Sequence, residues 1–271
     1  MRSIKKFSGV IGEYTGAGGK TILLPFFLTA VIVMGLTVFG PECLADSGNT
    51  IPFKRAQIRI EVNSTDGDAG LQLDLDADPW KILEVENPAG NIIFSVKSLG
   101  KLRALGNTEL FTESNEPPFD ELPLRDFLKM FPAGKYEFSG VLVEGGELES
   151  VAKLTHNMPC GPEIVSPAEG EELDPNAPVE IDWDPVTNKL DKNTGECDDS
   201  SHIVIAGYQV IVVREDPLPE IIYSVHLPAD VTEITVSPEF IEPGASYTFE
   251  VLSIEPGGNQ TISESSFITS N

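Results

Sequence analysis

From Ile58 onward apolar and polar residues alternate: Ile58, Ile60 and Val62 point one way, Arg59 and Glu61 the other. Leu71, Leu73 and Leu75 repeat the pattern around Gln72 and Asp74, and Ile82, Leu83 and Val85 follow. A period of two sends successive side chains to opposite faces of a strand, so these stretches are expected to be half-buried β-strands, with Asp66-Gly67-Asp68 as a turn. Ile92, Phe94 and Val96 continue the series after the turn Asn87-Pro88-Ala89-Gly90. Tyr136, Phe138, Val141 and Val143 then lead into Gly145-Gly146, and residues 151–154 answer on the far side, which predicts a hairpin.

One stretch departs from this rhythm. Leu124, Phe127, Leu128 and Phe131 are spaced as one apolar helical face, so a short helix is expected from about Leu122 to the stop at Pro132-Ala133-Gly134. Such a helix ordinarily plugs the end of a sandwich, and a partner-binding helix is the other reading. From Met158 to Pro162 the composition shifts to Pro, Cys and Gly, a domain boundary. The expected organisation is an N-terminal segment (1–45), a β-sandwich-like domain with one short helix (50–158) and a second sandwich (161–270), each large enough for its own core.

Lys5, Lys6 and Lys20 precede an apolar run from Thr21 to Gly40, closed by Pro41. Cys43-Leu44-Ala45 offers small residues where a signal peptidase reads, which predicts export and cleavage before Asp46. The run also approaches the roughly 20 residues that span a bilayer, so a single-pass anchor is the alternative. In either case the lysines stay inside and the rest lies outside. Glu42 and Pro41 before Cys43 exclude the lipoprotein pattern. Gly16-Ala17-Gly18-Gly19-Lys20-Thr21 resembles the end of a phosphate-binding loop, but Tyr14 stands where its first glycine belongs and no strand precedes it.

The chain carries 18 basic and 43 acidic residues; four of the former and two of the latter fall before Asp46, leaving 14 against 41 and a formal charge of −27. A polyanion of that density repels nucleic acid and anionic membrane surfaces, which excludes both as primary partners; contact with a membrane is expected only through the N-terminal segment, if it is retained. With Cys43 removed two cysteines remain, Cys160 and Cys197, and an even pair in an exported chain is a disulfide candidate.

The C-terminal half carries a set of positions that resembles a known family. Ile164 and Val165, then residues 179–183, 208–213, 221–225 and 232–236 read as successive strands, and residues 241–251 run through Pro243-Gly244 into Tyr247. In this order they resemble a fibronectin type III domain over about residues 162–270, and the whole chain resembles exported fibronectin type III-containing bacterial proteins. The resemblance implies that Trp183 is the buried core tryptophan, Tyr208 the aromatic of the third strand and Tyr247 the tyrosine corner. The expected fold is therefore all-β: two tandem immunoglobulin-like or fibronectin type III-like sandwiches after a hydrophobic export helix. Where the chain departs from the family, a polar insertion from Thr187 to Ser201 lies between the second and third strands. The family's topology brings that insertion and the domain entrance to one pole, which implies a Cys160–Cys197 disulfide worth about 3 to 4 kcal/mol in the chain-entropy model. Two free thiols are the competing reading.

Chemistry is sparse in the pattern. Asp74, Asp76 and Asp78 alternate, but a helical-hand calcium loop needs glycine sixth and glutamate twelfth, where Pro79 and Val85 stand. Asp66 with Asp68, and Asp198 with Asp199, are the weak calcium candidates; no metal or cofactor is expected. His156, His202 and His226 are dispersed, which argues against zinc, and Ser200-Ser201-His202 has no nucleophile elbow. Fold does not dictate function, but the family implies recognition by loops rather than catalysis. The expected function is non-enzymatic recognition or adhesion of a protein or carbohydrate ligand, with Asp191, Lys192, Glu196, Asp198 and Asp199 as the binding loop, in a secreted, periplasmic or cell-surface setting. A structural spacer in a cell-envelope assembly is the alternative, and a hydrolase the third reading.

Overall fold

A computed structural model describes residues 50–271, and there the alternating stretches become strands of two β-sandwiches joined side by side. The N-terminal segment, with Cys43 and the proposed cleavage point, lies outside the described residues. The first sandwich runs β1 (Thr50–Ile51), β2 (Arg55–Asn63), β3 (Asp68–Glu86), β4 (Ile92–Lys97), α1 (Gly100–Leu105), β5 (Asn107–Glu113), α2 (Leu124–Met130), β6 (Gly134–Leu142) and β7 (Glu147–Leu154).

Its two sheets share one strand. The first part of β3 pairs with β2 and β5, and the last part pairs with β4 and β6. Leu71, Leu73, Leu75 and Ala77 face the core along the first arm, and Trp80, Leu83 and Val85 along the second. The inward set changes parity across Pro79, where the ladder to β5 slips between Asp76 and Trp80, and again between Trp80 and Leu83, where the ladder to β6 slips between Trp80 and Ile82. Such irregularities let a strand turn from one sheet into the other while keeping its apolar side inside. Asp74, Asp76 and Asp78 fall on the outer side, where Arg55 holds Asp74 at 2.9 Å and Lys54 holds Asp78 at 2.8 Å. The helix predicted near Leu122 forms as α2 and buries Leu124, Phe127 and Leu128 against the sandwich. Phe131 follows it, its ring 5.1 Å from that of Phe127.

The second sandwich contains β8 (Ile164–Ser166), β9 (Glu171–Leu173), β10 (Glu180–Trp183), β11 (Lys189–Leu190), β12 (Cys197–Asp198), β13 (Gly207–Asp216), β14 (Ile221–Pro228), β15 (Glu233–Thr235), β16 (Ser246–Ile254) and β17 (Gln260–Thr269). A sheet ordered β15-β10-β8 faces one ordered β14-β13-β16-β17, with β9 parallel to the end of β17. Three strands against four in this order is the fibronectin type III arrangement. Trp183 is buried between the sheets with its ring 5.4 Å from Tyr208, whose hydroxyl accepts the Val186 N–H at 2.9 Å. Tyr247 makes the corner: its hydroxyl accepts the Glu242 N–H at 2.7 Å and donates to the Phe240 carbonyl at 3.3 Å. Tyr136 does the same for the first sandwich through the Pro132 carbonyl at 3.0 Å.

The sandwiches meet through a strand pair. Residues Gln260, Thr261 and Ile262 of β17 lie parallel to Glu61, Val62 and Asn63 of β2, so one sheet passes from the first sandwich into the second. Around the pair, the Ser64 N–H and hydroxyl both donate to the Ile262 carbonyl, at 2.9 and 2.7 Å. Asn259, 1% exposed, accepts the Ile60 N–H at 2.9 Å and donates to the Thr155 carbonyl at 3.0 Å. The segment linking the sandwiches is tied down by Thr261 to the Pro159 carbonyl at 2.6 Å and by Ser253 to the Cys160 carbonyl at 2.8 Å. Gly161 permits this approach, since a Cβ there would stand 2.1 Å from the Ser64 hydroxyl oxygen.

Two substitutions report on these features. Tyr247→Phe removes both corner hydrogen bonds and is expected to lower unfolding free energy by about 1 to 2 kcal/mol in denaturant titrations. Asn259→Ala leaves the buried Ile60 N–H and the half-buried Thr155 carbonyl without this partner and is expected to cost about 2 kcal/mol; an unchanged midpoint would show that water replaces the amide.

Candidate functional site

Two regions gather polar side chains. The first is the insertion between β10 and β13. Cys160 and Cys197 are disulfide-bonded, their Cα atoms 5.3 Å apart and 37 residues apart in sequence. The insertion forms the small β11–β12 ladder and docks on the linker: the Cys160 N–H donates to the Asn188 carbonyl at 2.9 Å, and the Leu190 N–H to the Met158 carbonyl at 3.0 Å. Leu190 and Met158 are both buried there. Gly195, at φ +79°, turns the tip against Phe119 of the first sandwich, and a Cβ at this glycine would stand 2.8 Å from the Phe119 ring. The insertion therefore touches the linker and both sandwiches.

The five acidic and basic residues expected to form a binding loop divide in two. The Asp191 carboxylate accepts the N–H of Asn193 at 2.8 Å, and the Asp198 carboxylate accepts the Ser200 N–H at 3.0 Å and hydroxyl at 2.6 Å. Those bonds hold Asp198 below the usual carboxylate range. Both aspartates thus shape the loop. Lys192, Glu196 and Asp199 are exposed, and none of their side chains makes such a turn bond.

The second region lies on the outer face of the joined sheet. A groove of about 400 Å³ crosses from β5 through β3, β2, β17 and β16 to β13; it is lined among others by Glu61, Glu113, Glu116 and Glu250. Carboxylate oxygens of Glu61, Glu113 and Glu116 lie within 4.8 Å of one another. Gly70 makes room for this: the Glu116 carboxylate rests over it, and a Cβ at Gly70 would sit 2.9 Å from its Oε1. Gln260 donates to Glu61 across the junction, and Gln72 donates to Glu113 at 2.6 Å while accepting from Arg59 at 2.6 Å.

Burial and crowding push Glu61, Glu116 and Glu250 toward their protonated forms. Glu116 rises from 4.5 to about 7, by desolvation first and then by Glu113, Asp68, Glu61 and Asp66. Burial likewise raises Glu61, whose Gln260 bond works in the opposite direction. Glu250 is raised by burial and by Glu264, which faces it across the β16–β17 ladder. Asp66 and Asp68, the weak calcium candidates, stand beside the three glutamates rather than among them. Asp66 accepts from Asn63 at 3.3 Å, while one buried oxygen of Asp68 has no hydrogen-bond partner and burial raises its pKa. Carboxylates placed this way share protons near neutral pH or gather a hard cation.

No family model and no curated protein matches the chain. Among solved structures, a crystal structure of chicken CNTN1 FN1-FN3 domains is similar at 12% identity and a TM-score of 0.33, over 82% of this chain. The chain spans 65% of the length of that structure. At that level the likeness carries no argument, and the sandwich assignment rests on strand order and the two tyrosine corners.

The groove had no signature in the sequence. Glu61 alternates with apolar neighbours as any solvent-facing strand acid does, Glu113 sits between Thr112 and Ser114, and only pairing of β5 with β3, and of β2 with β17, brings them together with Gln260. The acids give stability a direction with pH. Because the folded protein holds the Glu116 proton up to about pH 7 and the unfolded chain releases it near 4.5, the folded state binds more protons between these values, and stability falls as pH rises through that window. Glu116→Gln is expected to flatten this part of the profile; thermal melts between pH 4.5 and 8 that leave the slope unchanged would assign it to the other acids.

Proposed function

We propose that the protein is an exported, non-catalytic recognition or adhesion protein, with residues 50–158 and 161–270 as its two modules and the Thr187–Ser201 insertion as the contact loop for a protein or carbohydrate ligand. The observation that carries this reading is the fixed state of the insertion. A loop held by a disulfide, by the linker and by Phe119 loses little conformational entropy when a ligand binds, and preorganisation of this kind raises affinity without new contacts. Its outward groups, Lys192, Glu196 and Asp199, offer both signs of charge.

The disulfide supports an oxidising compartment, since such bonds persist outside the reducing cytosol. Among the described residues no helix is long and apolar enough to cross a membrane. Secretion, periplasmic residence or display at a cell surface all agree with these facts.

A second reading, a spacer that holds another component of a cell-envelope assembly, draws on a different observation. The β2–β17 pairing stiffens the joint between the modules, as a spacer requires. Screening the full chain against protein extracts and glycan arrays separates the two. The recognition reading expects a retained ligand whose binding falls about tenfold or more, 1.4 kcal/mol or more, in a Lys192→Ala/Glu196→Ala/Asp199→Ala variant of unchanged melting temperature. Undiminished binding by the variant overturns the loop assignment, and retention of a single assembly partner by either protein favours the spacer.

A further inference from the structure

Among the described residues, α1 with the stretch before it runs against the acidity of the chain. Leu99, Leu102 and Leu105 are 71%, 49% and 75% exposed, and α1 buries no residue at all. Between and beside these leucines stand Lys97, Lys101 and Arg103, and no Asp or Glu occurs from Lys97 to Leu105. None of the ion pairs among the described residues uses these three cations. In a chain where acids outnumber bases by more than two to one, nine residues with three bases, no acid and three outward leucines form a surface of opposite character.

Its position adds a second observation. α1 ends against the turn between β6 and β7: Ala104 and Leu105 line a shallow groove with Asp78, Pro79, Leu142, Val143, Glu144 and Gly145, so two acids border the basic segment on this side. Gly106, at φ +80°, brings the chain so close that a Cβ there would lie 2.7 Å from Val143. The same turn is where the chain reaches the sandwich, because Thr50 of β1 stands beside Glu147, the first residue of β7. Nine residues separate Thr50 from the apolar run that ends at Gly40, a reach of at most about 30 Å when extended. Thr50, the first described residue, thus enters the sandwich at the pole that carries α1.

We propose that this pole is a membrane-contact face, in which the leucines of Leu99–Leu105 enter the interfacial zone of a lipid bilayer while Lys97, Lys101 and Arg103 meet anionic headgroups. Apolar residues flanked by cations are the composition of segments that lie in the interface plane, the aliphatic stems of Lys and Arg covering apolar surface while their charges reach outward. The whole-chain charge repels an anionic surface, so contact is confined to this pole and orients the molecule, with the second sandwich directed away.

The test uses the full chain reconstituted in vesicles containing anionic lipid, with tryptophan introduced by Leu102→Trp. After subtraction of the parent protein's emission, the added tryptophan is expected to lose emission when brominated lipid replaces unbrominated lipid. Ile222→Trp, on the edge strand β14 of the second sandwich and 67% exposed in the parent, is expected to show no loss. Adding Lys101→Glu and Arg103→Glu to the Leu102→Trp protein is expected to abolish the quenching with the circular dichroism spectrum unchanged. Equal emission from Leu102→Trp in both lipids, equal quenching at both tryptophan positions, or quenching that survives the charge reversal overturns the proposal.

Discussion

The parallel contact between β17 and β2 is short, yet most of the molecule's shape depends on it. Each strand without this partner would present its edge to solvent, a row of unpaired N–H and C=O groups ready to pair with another chain. Pairing them to each other satisfies both rows within one molecule. Asn259 completes the joint by bonding the Ile60 N–H and the Thr155 carbonyl, so an amide from the second sandwich is buried among backbone groups of the first and of the linker. A buried amide is tolerated only where its bonds are met, which makes this residue a check on the angle between the sandwiches as well as a source of stability.

That joint also sets the position of everything else that can act. It carries the linker over the end of the second sandwich, which brings Cys160 under the insertion and allows the bridge to Cys197. It places Phe119 against Gly195. On the outer face it draws Glu61 to Gln260 and lines up acids from β2, β5 and β16 along one groove. Like charges this close are unfavourable in ionised form, and the protein relieves the repulsion by amide donors from Gln72 and Gln260 and by retaining protons. The acidity of the chain is therefore not spread evenly: it is dense over the joined sheet, while residues 97–105 carry no acid of their own and have Asp78 and Glu144 beside them.

Much of the architecture was legible in the sequence because side-chain period and turn residues are local properties. Leu71, Leu73 and Leu75 face the core as their alternation requires, α2 forms where Leu124, Phe127 and Leu128 mark a helical face, and Trp183, Tyr208 and Tyr247 are buried. The limits were equally local. The turn of β3 from one sheet to the other depends on slips in pairing with β5 and β6, and strand pairing leaves no mark on the composition of a single strand. α1 was not read as a helix, because six residues make fewer than two turns, too short a window for the three-residue spacing of Leu99, Leu102 and Leu105 to mark a helix. The binding-loop residues were read as one set, whereas two of their carboxylates serve the loop's own turns, a distinction that only hydrogen-bond geometry makes.

By itself, then, the sequence determined which residues face inward, where the chain turns and how acidic it is, since these follow from short-range stereochemistry and composition. The tertiary structure decided how the two sandwiches share a sheet, which acids meet, which of the insertion's charges remain outward and which pole bears a basic, leucine-rich surface. Those outcomes depend on contacts between residues as far as 199 positions apart, and at that separation the partner of a side chain is chosen by packing and strand register rather than by its neighbours in the chain.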